Sequence, residues 1–274
     1  MDALNATSRQ SFLGPSSALQ LAEARVAVLG LGGGGSHVVQ QLAHVGFKGL
    51  TLCDPDVVEA TNLNRLVGAT VEDAKLGRAK TDVAKRTIMG LAPDAAVDLF
   101  PSRWEEAAPS LRRVDLIFGC LDGFAARRDL ERFARRYLIP LIDIGLDVHR
   151  SDSRPPQMAG QVILSMPGQQ CMWCLGYLND IVLAREAERY GHAGPRPQVV
   201  WANGTLASAA VGIAVDLVTG WTDQAPPIFL EYDGNKQTLA PPERMALLRA
   251  RGPCEHYPAK VEGHGDPVFR RLGA

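Results

Sequence analysis

The sequence has neither a strong excess of one charge nor a run of basic residues. Its 274 residues carry a formal net charge of −1 at pH 7, so charge favours neither nucleic acid nor an anionic membrane as a partner. The N-terminus lacks a basic start followed by an apolar signal core. The most apolar long segment, Leu206 to Val218, is interrupted by Asp216 and is too short to span a bilayer. We therefore expect a cytoplasmic protein.

Internal repeats and low-complexity tracts are also absent. A hydrophobic content of 46% over this length is enough to bury a sizeable core. We expect residues 1–24 to form an N-terminal arm with a short helix. Residues 25–274 would then form one domain that includes a loop-rich C-terminal tail.

The most informative segment begins with a short apolar strand, Arg25 to Leu29, followed by a glycine-rich turn. Glycine lets the backbone turn tightly and approach a phosphate, which binds the free N–H groups of the following helix. The turn fits the G-x-G-x-x-G spacing. Its candidate nucleotide-binding residues are Gly30, Gly32, Gly33, Gly34 and Gly35.

Polar residues follow the second strand, Leu50 to Cys53. An acidic residue at this distance from a glycine turn typically contacts a ribose hydroxyl, and Asp54 and Asp56 are placed for that role. The chain continues DPDVVEATNLNRLVGATVEDAKLGRAK, and cations this soon after the turn indicate a triphosphate. The candidates are Asn62, Asn64, Arg65 and Lys80.

A third buried strand, Val114 to Phe118, leads to Asp122. Open α/β sheets bind ligands at the carboxyl ends of their strands. A carboxylate at such an end can hold Mg²⁺ beside phosphate oxygens. Asp122 is therefore the candidate magnesium ligand.

The alternation of strand and helix patterns from residue 25 to about 150 predicts an α/β fold with a doubly wound, Rossmann-like, mostly parallel sheet. An antiparallel and loop-rich extension is expected after it. The predicted helices are 36–45, 80–89, 124–137, 179–190 and at most one near 242–251; the predicted strands also include 140–144 and a pair within 160–166, and 149–157 is predicted to be a loop.

Several motifs together resemble the ThiF/MoeB/HesA family, which includes the ubiquitin-activating enzymes. They are GLGGGGSH, DPDVVEATNLNR, Lys80 in GRAK, and Asp122 with Arg127 in CLDGFAAR. The resemblance covers about residues 8 to 258. It implies that the protein uses ATP and Mg²⁺ to adenylate the C-terminal carboxylate of a ubiquitin-like protein that ends in glycine, releasing pyrophosphate.

The resemblance also implies roles for single residues. Asp54 and Asp56 would contact the ribose, and Asn62, Arg65 and Lys80 the phosphates. Taken singly, Arg65, Lys80 and Arg127 would more often be solvated surface charges, and only the joint pattern favours the functional roles. This chain has Leu66 where family members commonly have glutamine.

Two arginines have further implied roles. Arg127 would brace the loop that carries Asp122. Arg9, in SRQSFLG, matches an arginine that family dimers insert into the neighbouring subunit's ATP site, which implies a homodimer.

Cysteines supply a second candidate site. Cys171 and Cys174 form a C-x-x-C pair, half of a structural zinc site. Many family members supply a second such pair near the C-terminus, where this chain has Cys254 and His256. A Cys₃His zinc site is one interpretation, and a reduced cysteine pair unrelated to Cys254 is the other. Cys53 and Cys120 are expected to be small buried residues.

Members of the family that pass on the activated protein use a cysteine nucleophile, yet Leu175 to Gly204 contains none. Tyr190 lies about where it would fall, and tyrosine replaces a thiolate poorly. Three interpretations stay open. The acyl adenylate is handed directly to a partner's thiol, or Cys254 or Cys174 acts instead, or the natural nucleophile has been replaced.

Four motifs look more like the bacterial activating enzymes of ubiquitin-like conjugation operons than like molybdopterin or thiamine sulfur-transfer enzymes. They are GLGGGGSH, LIDIGLDVH, CMWCLGYL and RPQVVWANGTLAS. Some of these operons defend against phage, and they encode a conjugating enzyme as the next partner. The alternative within the family is activation of a sulfur-carrier protein. Alternatives from other classes are a Rossmann NAD-binding oxidoreductase and a non-catalytic pseudo-subunit.

Overall fold

The described residues build one eight-stranded sheet in the computed structural model, which describes residues 8–151, 154–188, 197–249, 252 and 254–258. The strands are β1 Arg25–Leu29, β2 Gly49–Cys53, β3 Ala96–Phe100, β4 Leu116–Gly119, β5 Leu141–Ser151, β6 Arg154–Ser165, β7 Phe229–Asp233 and β8 Thr238–Ala240. The helices are α1 Ser17–Glu23, α2 Gly33–Val45, α3 Val71–Leu76, α4 Lys80–Leu91, α5 Ala108–Leu111, α6 Phe124–Arg136, α7 Asp180–Glu188, α8 Val200–Thr219 and α9 Met245–Arg249, with 3₁₀ turns at Ser8–Leu13 and Ala60–Asn62.

The strand order is β3-β2-β1-β4-β5-β6-β7-β8. The first five strands are parallel neighbours, and the last three pair antiparallel. The order reverses between β1 and β4, the position at which doubly wound sheets open a crevice for ligands. The predicted fold class is confirmed.

Alternate residues of the central strands face two separate cores. Val26 and Val28 of β1 point to the side on which α2 and α8 pack, whereas Ala27 and Leu29 point to the side of α6 and α9. Strands buried on both faces explain the continuous apolar runs that the sequence shows. Helices therefore cover both faces and leave the strand ends free to form a site.

The predicted loop at 149–157 is wrong. β5 continues to Ser151 and β6 begins at Arg154, with His149 opposite Gln157. β7 pairs with β6 only from Ala159 onward, so the earlier part of β6 has one neighbouring strand. Proline is tolerated at such an edge, where no second partner needs its missing N–H.

The predicted third strand, Val114 to Phe118, corresponds to the fourth strand β4, because β3 precedes it and was not predicted. β3 is an edge strand whose residues are exposed or half-buried, so it carries no continuous apolar run. The strands β7 and β8 and the short helices α3 and α5 were not predicted either. The predicted strand pair within 160–166 is wrong, because residues 160–165 belong to the single strand β6. The other predicted helices and strands lie at their expected positions, with ends that differ by a few residues.

The apolar helix α8 spans 20 residues and extends beyond the apolar run Leu206 to Val218, which by itself is too short to cross a bilayer. By length and composition it is long enough to cross a membrane, although half of its apolar window is buried inside the protein. Its buried face packs on α2 and on β5. This packing is that of a core helix.

The N-terminal arm contains the 3₁₀ turn and α1, which contacts α8. Residues 1–7 lie outside the described part of the chain. The division into an arm of residues 1–24 and a domain of residues 25–274 stays a prediction.

Candidate nucleotide site and cysteine–histidine cluster

A cavity of about 390 Å³ opens at the carboxyl ends of β1 to β4 and beside the middle of β5. Its volume lies within the range of small-molecule sites. Residues of the helices α4, α6 and α8 complete the wall that these strands begin. The residues that line the cavity include Gly30, Gly32, Gly33, Gly34, Asp54, Asp56, Asn62, Arg65, Leu66, Lys80, Trp104, Asp122, Arg127, Gly145 and Asn203.

The glycine turn needs glycine at its first and last positions. Gly30 has a φ of +88°, and a Cβ there would lie 2.4 Å from the carbonyl oxygen of Cys120. A Cβ on Gly35 would lie 1.8 Å from the carbonyl oxygen of Gly30. Backbone atoms cannot move aside as a flexible side chain can, so these two glycines permit the close contact between β1, β4 and α2.

The central glycine Gly32 differs, because a Cβ there would meet nothing within 4 Å. Gly32 lines the cavity, so the free space beside it is open to a ligand. The helix α2 begins at the next residue, and its unpaired N–H groups provide an anion site. Side chains pack tightly against the other glycines of the turn. A Cβ on Gly33 would clash with the Asn203 side chain, and a Cβ on Gly34 would clash with the Ile144 side chain.

The acidic pair after β2 divides into a buried and an exposed carboxylate. Asp54 is buried, and it accepts hydrogen bonds from the N–H of Leu31 (2.6 Å) and of Asp56 (2.9 Å). Burial raises its pKa, and the charge of Lys80 opposes that shift. The Lys80 Nζ lies 2.7 Å from Asp56 and 3.6 Å from Asp54. Asp54 therefore fixes the glycine turn through the N–H of Leu31, and Asp56 is the more exposed carboxylate of the pair.

The segment NLNR forms the wall beside this pair. Asn62 is buried, and its Oδ1 accepts from the Glu59 N–H at 3.1 Å. The Arg65 guanidinium donates to the Asn64 Oδ1 and the Thr61 carbonyl. Asn64 also donates to the Gln198 carbonyl, and among the described residues it does not line the cavity. Asn64 thus orients Arg65 towards the cavity.

Asp122 and Arg127 lie on the opposite side of the cavity. Asp122 is exposed and follows β4, two residues before α6 begins. Arg127 is buried, pairs with Asp143 and donates to the Ile144 carbonyl at 3.1 Å. Burial raises the pKa of Asp143 to about 6, although Arg127 opposes that shift. Arg127 therefore joins α6 to β5, and its role in bracing the loop of Asp122 stays a prediction.

Other residues of the cavity wall were not predicted. Ser102 to Glu105 follow the missed strand β3, and Trp104 within this segment is buried. Gln198 precedes α8, and Asn203 lies in the first turn of that helix. The motif RPQVVWANGTLAS drew attention to the latter segment, but nothing in the sequence alone indicates that it faces the turn.

Arg9 lies on the first 3₁₀ turn, where it is exposed. It does not line the cavity of its own chain among the described residues. Its insertion into a neighbouring subunit stays a prediction.

The four predicted zinc ligands come together. Their ligand atoms lie within 4.8 Å of one another, with Sγ atoms of Cys171 and Cys174 3.7 Å apart and those of Cys174 and Cys254 3.6 Å apart. Tetrahedral zinc with bonds near 2.3 Å requires sulfur separations of about 3.8 Å. His256 directs Nδ1 to the group, at 3.4 Å from the Sγ of Cys174. The donor set and its dimensions fit Zn²⁺.

Cys53 and Cys120 line the cavity but are poor nucleophiles. Burial and the neighbouring Asp54 raise the pKa of Cys53 to about 12, and burial also raises the pKa of Cys120. A thiol with such a pKa is protonated at neutral pH. The segment around Tyr190, where the family's cysteine nucleophile would fall, lies outside the described residues.

The fold and site define a nucleotide-binding α/β enzyme with an anion-binding turn and acidic groups at its strand ends. The ThiF family pattern matches residues 5–254, and the chain belongs to the ThiF family. The sulfur carrier protein ThiS adenylyltransferase of Escherichia coli K12 is 28% identical over 253 residues, 91% of this chain and 90% of that protein. The molybdopterin-synthase adenylyltransferase of the same organism is 27% identical over 86% of this chain and 87% of that protein. The expected enzyme class, adenylyltransferase, is confirmed.

Partial and structural matches extend this result. The SAMP-activating enzyme E1 of Haloferax volcanii is 30% identical over 60% of this chain and 57% of that protein. Among solved structures, E. coli MccB with ATP matches 86% of this chain and 70% of that chain, with a TM-score of 0.70 and 20% identity. PaaA matches with a TM-score of 0.66 and 21% identity, over 86% of this chain and 81% of that chain. These structures support the fold.

Proposed function

We propose that the protein activates a ubiquitin-like protein with a glycine-ended C-terminus by adenylating its terminal carboxylate with ATP. The main observation that supports this proposal is the arrangement of charge around the cavity at the strand ends. An anion-binding turn lies at the centre, Lys80 and Arg65 on one side, and Asp122 on the other.

The chemistry needs this arrangement because a carboxylate must approach the α-phosphate of ATP, and the two groups repel each other. Catalysis then consists of positioning and charge neutralisation. The N-terminus of α2 would bind phosphate oxygens, Asp56 the ribose, and Lys80 and Arg65 the remaining phosphate charge. Asn62 would complete this wall.

Asp122 would hold Mg²⁺, which neutralises phosphate charge when bound. Its exposure at a strand end supports this role. The Asp122 carboxylate would therefore be the residue whose removal most reduces the rate.

The test is ATP–pyrophosphate exchange with Mg²⁺ and a glycine-ended ubiquitin-like protein encoded beside the gene. We expect exchange to require that partner and to fall at least about 100-fold in Asp122→Ala. Asp98→Ala is the matched control, because Asp98 is an exposed carboxylate on the edge strand β3, away from the cavity. Exchange that survives in Asp122→Ala, or a preference for NAD over ATP, contradicts the proposal.

A sulfur-carrier protein is the second candidate partner. Full-length similarity to the adenylyltransferases of ThiS and of molybdopterin synthase favours it. Both candidates present a terminal carboxylate to the same cavity, so adenylation is common to them. Pyrophosphate exchange measured with each carrier distinguishes the two candidate partners. A non-catalytic pseudo-subunit would show exchange with neither carrier.

For the step after adenylation we propose that the thiol of a conjugating enzyme or another acceptor attacks the acyl adenylate directly. A thioester forms, the acyl–phosphate bond breaks, and AMP leaves together with the proton of the thiol. The raised thiol pKa values of Cys53 and Cys120 support this choice, and Cys174 and Cys254 are taken up by the cysteine–histidine cluster. Intact mass under non-reducing conditions tests it. A thiol-sensitive adduct of enzyme and carrier would reveal a catalytic cysteine instead.

The wider setting that we propose is a cytoplasmic homodimer with structural Zn²⁺, acting in a bacterial conjugation system directed against phage. Arg9 of each subunit would reach the other subunit's nucleotide. Mixing Arg9→Ala subunits with Asp122→Ala subunits tests this arrangement, because only a shared site regains activity in the mixed dimer.

A further inference from the structure

A strap of residues 169–188 runs antiparallel along helix α6. At the C-terminal end of α6, the Arg135 guanidinium donates to the carbonyl oxygens of Gln169 and Gln170, each at 3.1 Å. One turn earlier, Glu131 accepts from the Met172 N–H at 2.8 Å. The strap is thus fixed to α6 beside the cysteine–histidine cluster.

The strap reaches the other end of α6 as well. The rings of Tyr177 and Phe124 lie 5.6 Å apart. Beyond them, Glu186 of α7 accepts hydrogen bonds from the Phe124 N–H at 2.9 Å and from the Ala125 N–H at 2.8 Å. Both carboxylate oxygens are used, so Glu186 caps the first turn of α6.

Helix α6 has no cap from its own sequence. Its N-cap residue is Gly123, which has no side chain to accept a hydrogen bond. A Cβ on Gly123 would lie 3.1 Å from the Glu186 Oε1, so glycine allows the close approach of the carboxylate. A negative charge at a helix N-terminus is favourable, and here it comes from a residue 62 positions away in the chain.

Asp122 lies between two fixed points. On the strand side, the Cys120 N–H donates to the Leu29 carbonyl at 2.8 Å. On the helix side, Glu186 holds the amide of Phe124, two residues after Asp122. We infer that Glu186 is a positioning residue for Asp122, setting where the magnesium ligand stands relative to the glycine turn. This inference rests on the proposed function, in which Asp122 holds Mg²⁺.

The test measures the Mg²⁺ dependence of ATP–pyrophosphate exchange in Glu186→Ala, Glu186→Gln and Glu188→Ala. Glu188 is an exposed glutamate on the same helix and serves as the matched control. We expect Glu186→Ala to raise the Mg²⁺ concentration for half-maximal exchange about tenfold, because loss of a residue that orients a metal ligand typically lowers metal affinity about 10- to 100-fold. Glu186→Gln keeps one acceptor oxygen and should lie between Glu186→Ala and the wild type.

A purely structural role would lower the maximal rate in proportion to the folded fraction and leave the Mg²⁺ requirement unchanged. That result overturns the inference. Should Glu186→Ala fail to fold, the same comparison is made with Glu186→Gln. Wild-type protein without exchange overturns the proposed function and this inference together, whereas wild-type exchange with an unaltered Mg²⁺ requirement in the variants overturns the positioning role alone.

Amide hydrogen exchange adds a readout that needs no activity. In Glu186→Ala the amides of Phe124 and Ala125 should exchange about tenfold faster than in the wild type, since they lose their acceptor. Unchanged protection of these two amides refutes the capping contact on which the inference depends.

Discussion

Two glycines of the same turn should give opposite results when changed to alanine. Gly35→Ala would place a methyl carbon 1.8 Å from the Gly30 carbonyl oxygen, where real contacts are not shorter than 3.0 Å. Helix α2 must therefore shift away from β1 by roughly 1 Å. Overpacking of a close-packed interior costs about 1–3 kcal/mol and more where backbone must move, so we expect a loss of at least about 3 kcal/mol in the free energy of unfolding.

Gly32→Ala should leave that free energy within about 0.5 kcal/mol of wild type, because its methyl group meets nothing within 4 Å. The methyl group would instead fill part of the cavity beside the phosphates. We expect the Kd for ATP to rise at least about tenfold, which equals about 1.4 kcal/mol.

Urea unfolding and ATP titration of both variants provide the assay. A Gly35→Ala protein of wild-type stability would show that the backbone clash does not restrict this position. A Gly32→Ala protein that binds ATP as the wild type does would show that the space beside Gly32 is not part of the ATP site.

Two further predictions concern parts of the molecule outside the nucleotide cavity. Purified protein should contain about one equivalent of zinc. Removal of the zinc by a chelator, or the substitution Cys174→Ser, should lower the Tm by several degrees, because metal ligation stabilises the fold. Metal analysis and thermal unfolding check this prediction, and a zinc-free protein of equal Tm contradicts it. Asp73 is buried and accepts from Arg78, Arg86 and Thr70, and the hydrogen bond from Arg86 chiefly holds its pKa well below the usual value. The ionised Asp73 carboxylate therefore contributes to the free energy of unfolding above about pH 4, and this contribution is lost as the pH falls below that value. Asp73→Asn should lower the free energy of unfolding by about 2–3 kcal/mol at pH 7 and by less at pH 3. Urea unfolding at both pH values measures the difference. A constant cost across this pH range would contradict it.

The nucleotide half of the fold was predictable because local patterns and final geometry agree there. Buried parallel strands read as apolar runs, and the glycine turn carries its own spacing. The four residues of the cysteine–histidine cluster were also predictable, because cysteine and histidine are few and their chemistry restricts them.

The remainder depends on contacts between distant segments. β3 is an edge strand without a marked apolar run, so the wall from Ser102 to Glu105 could not be located. Asp54 and Asp56 look equivalent in sequence, yet the fold gives one to the turn and leaves the other exposed. The cap on α6 could not be predicted either, since Glu186 lies 62 positions from the amide that it accepts.

The cysteine–histidine cluster has a consequence for the order in which the chain folds. It joins Cys174 to Cys254 across 80 positions, and the segment between them contains α8 and the antiparallel strands β7 and β8. During synthesis the first cysteine pair leaves the ribosome long before the other two ligands, so it can hold only half of a metal site. Completing the site closes a large loop, an entropic cost that grows slowly with loop length. Metal binding would therefore be a late step that locks the finished fold.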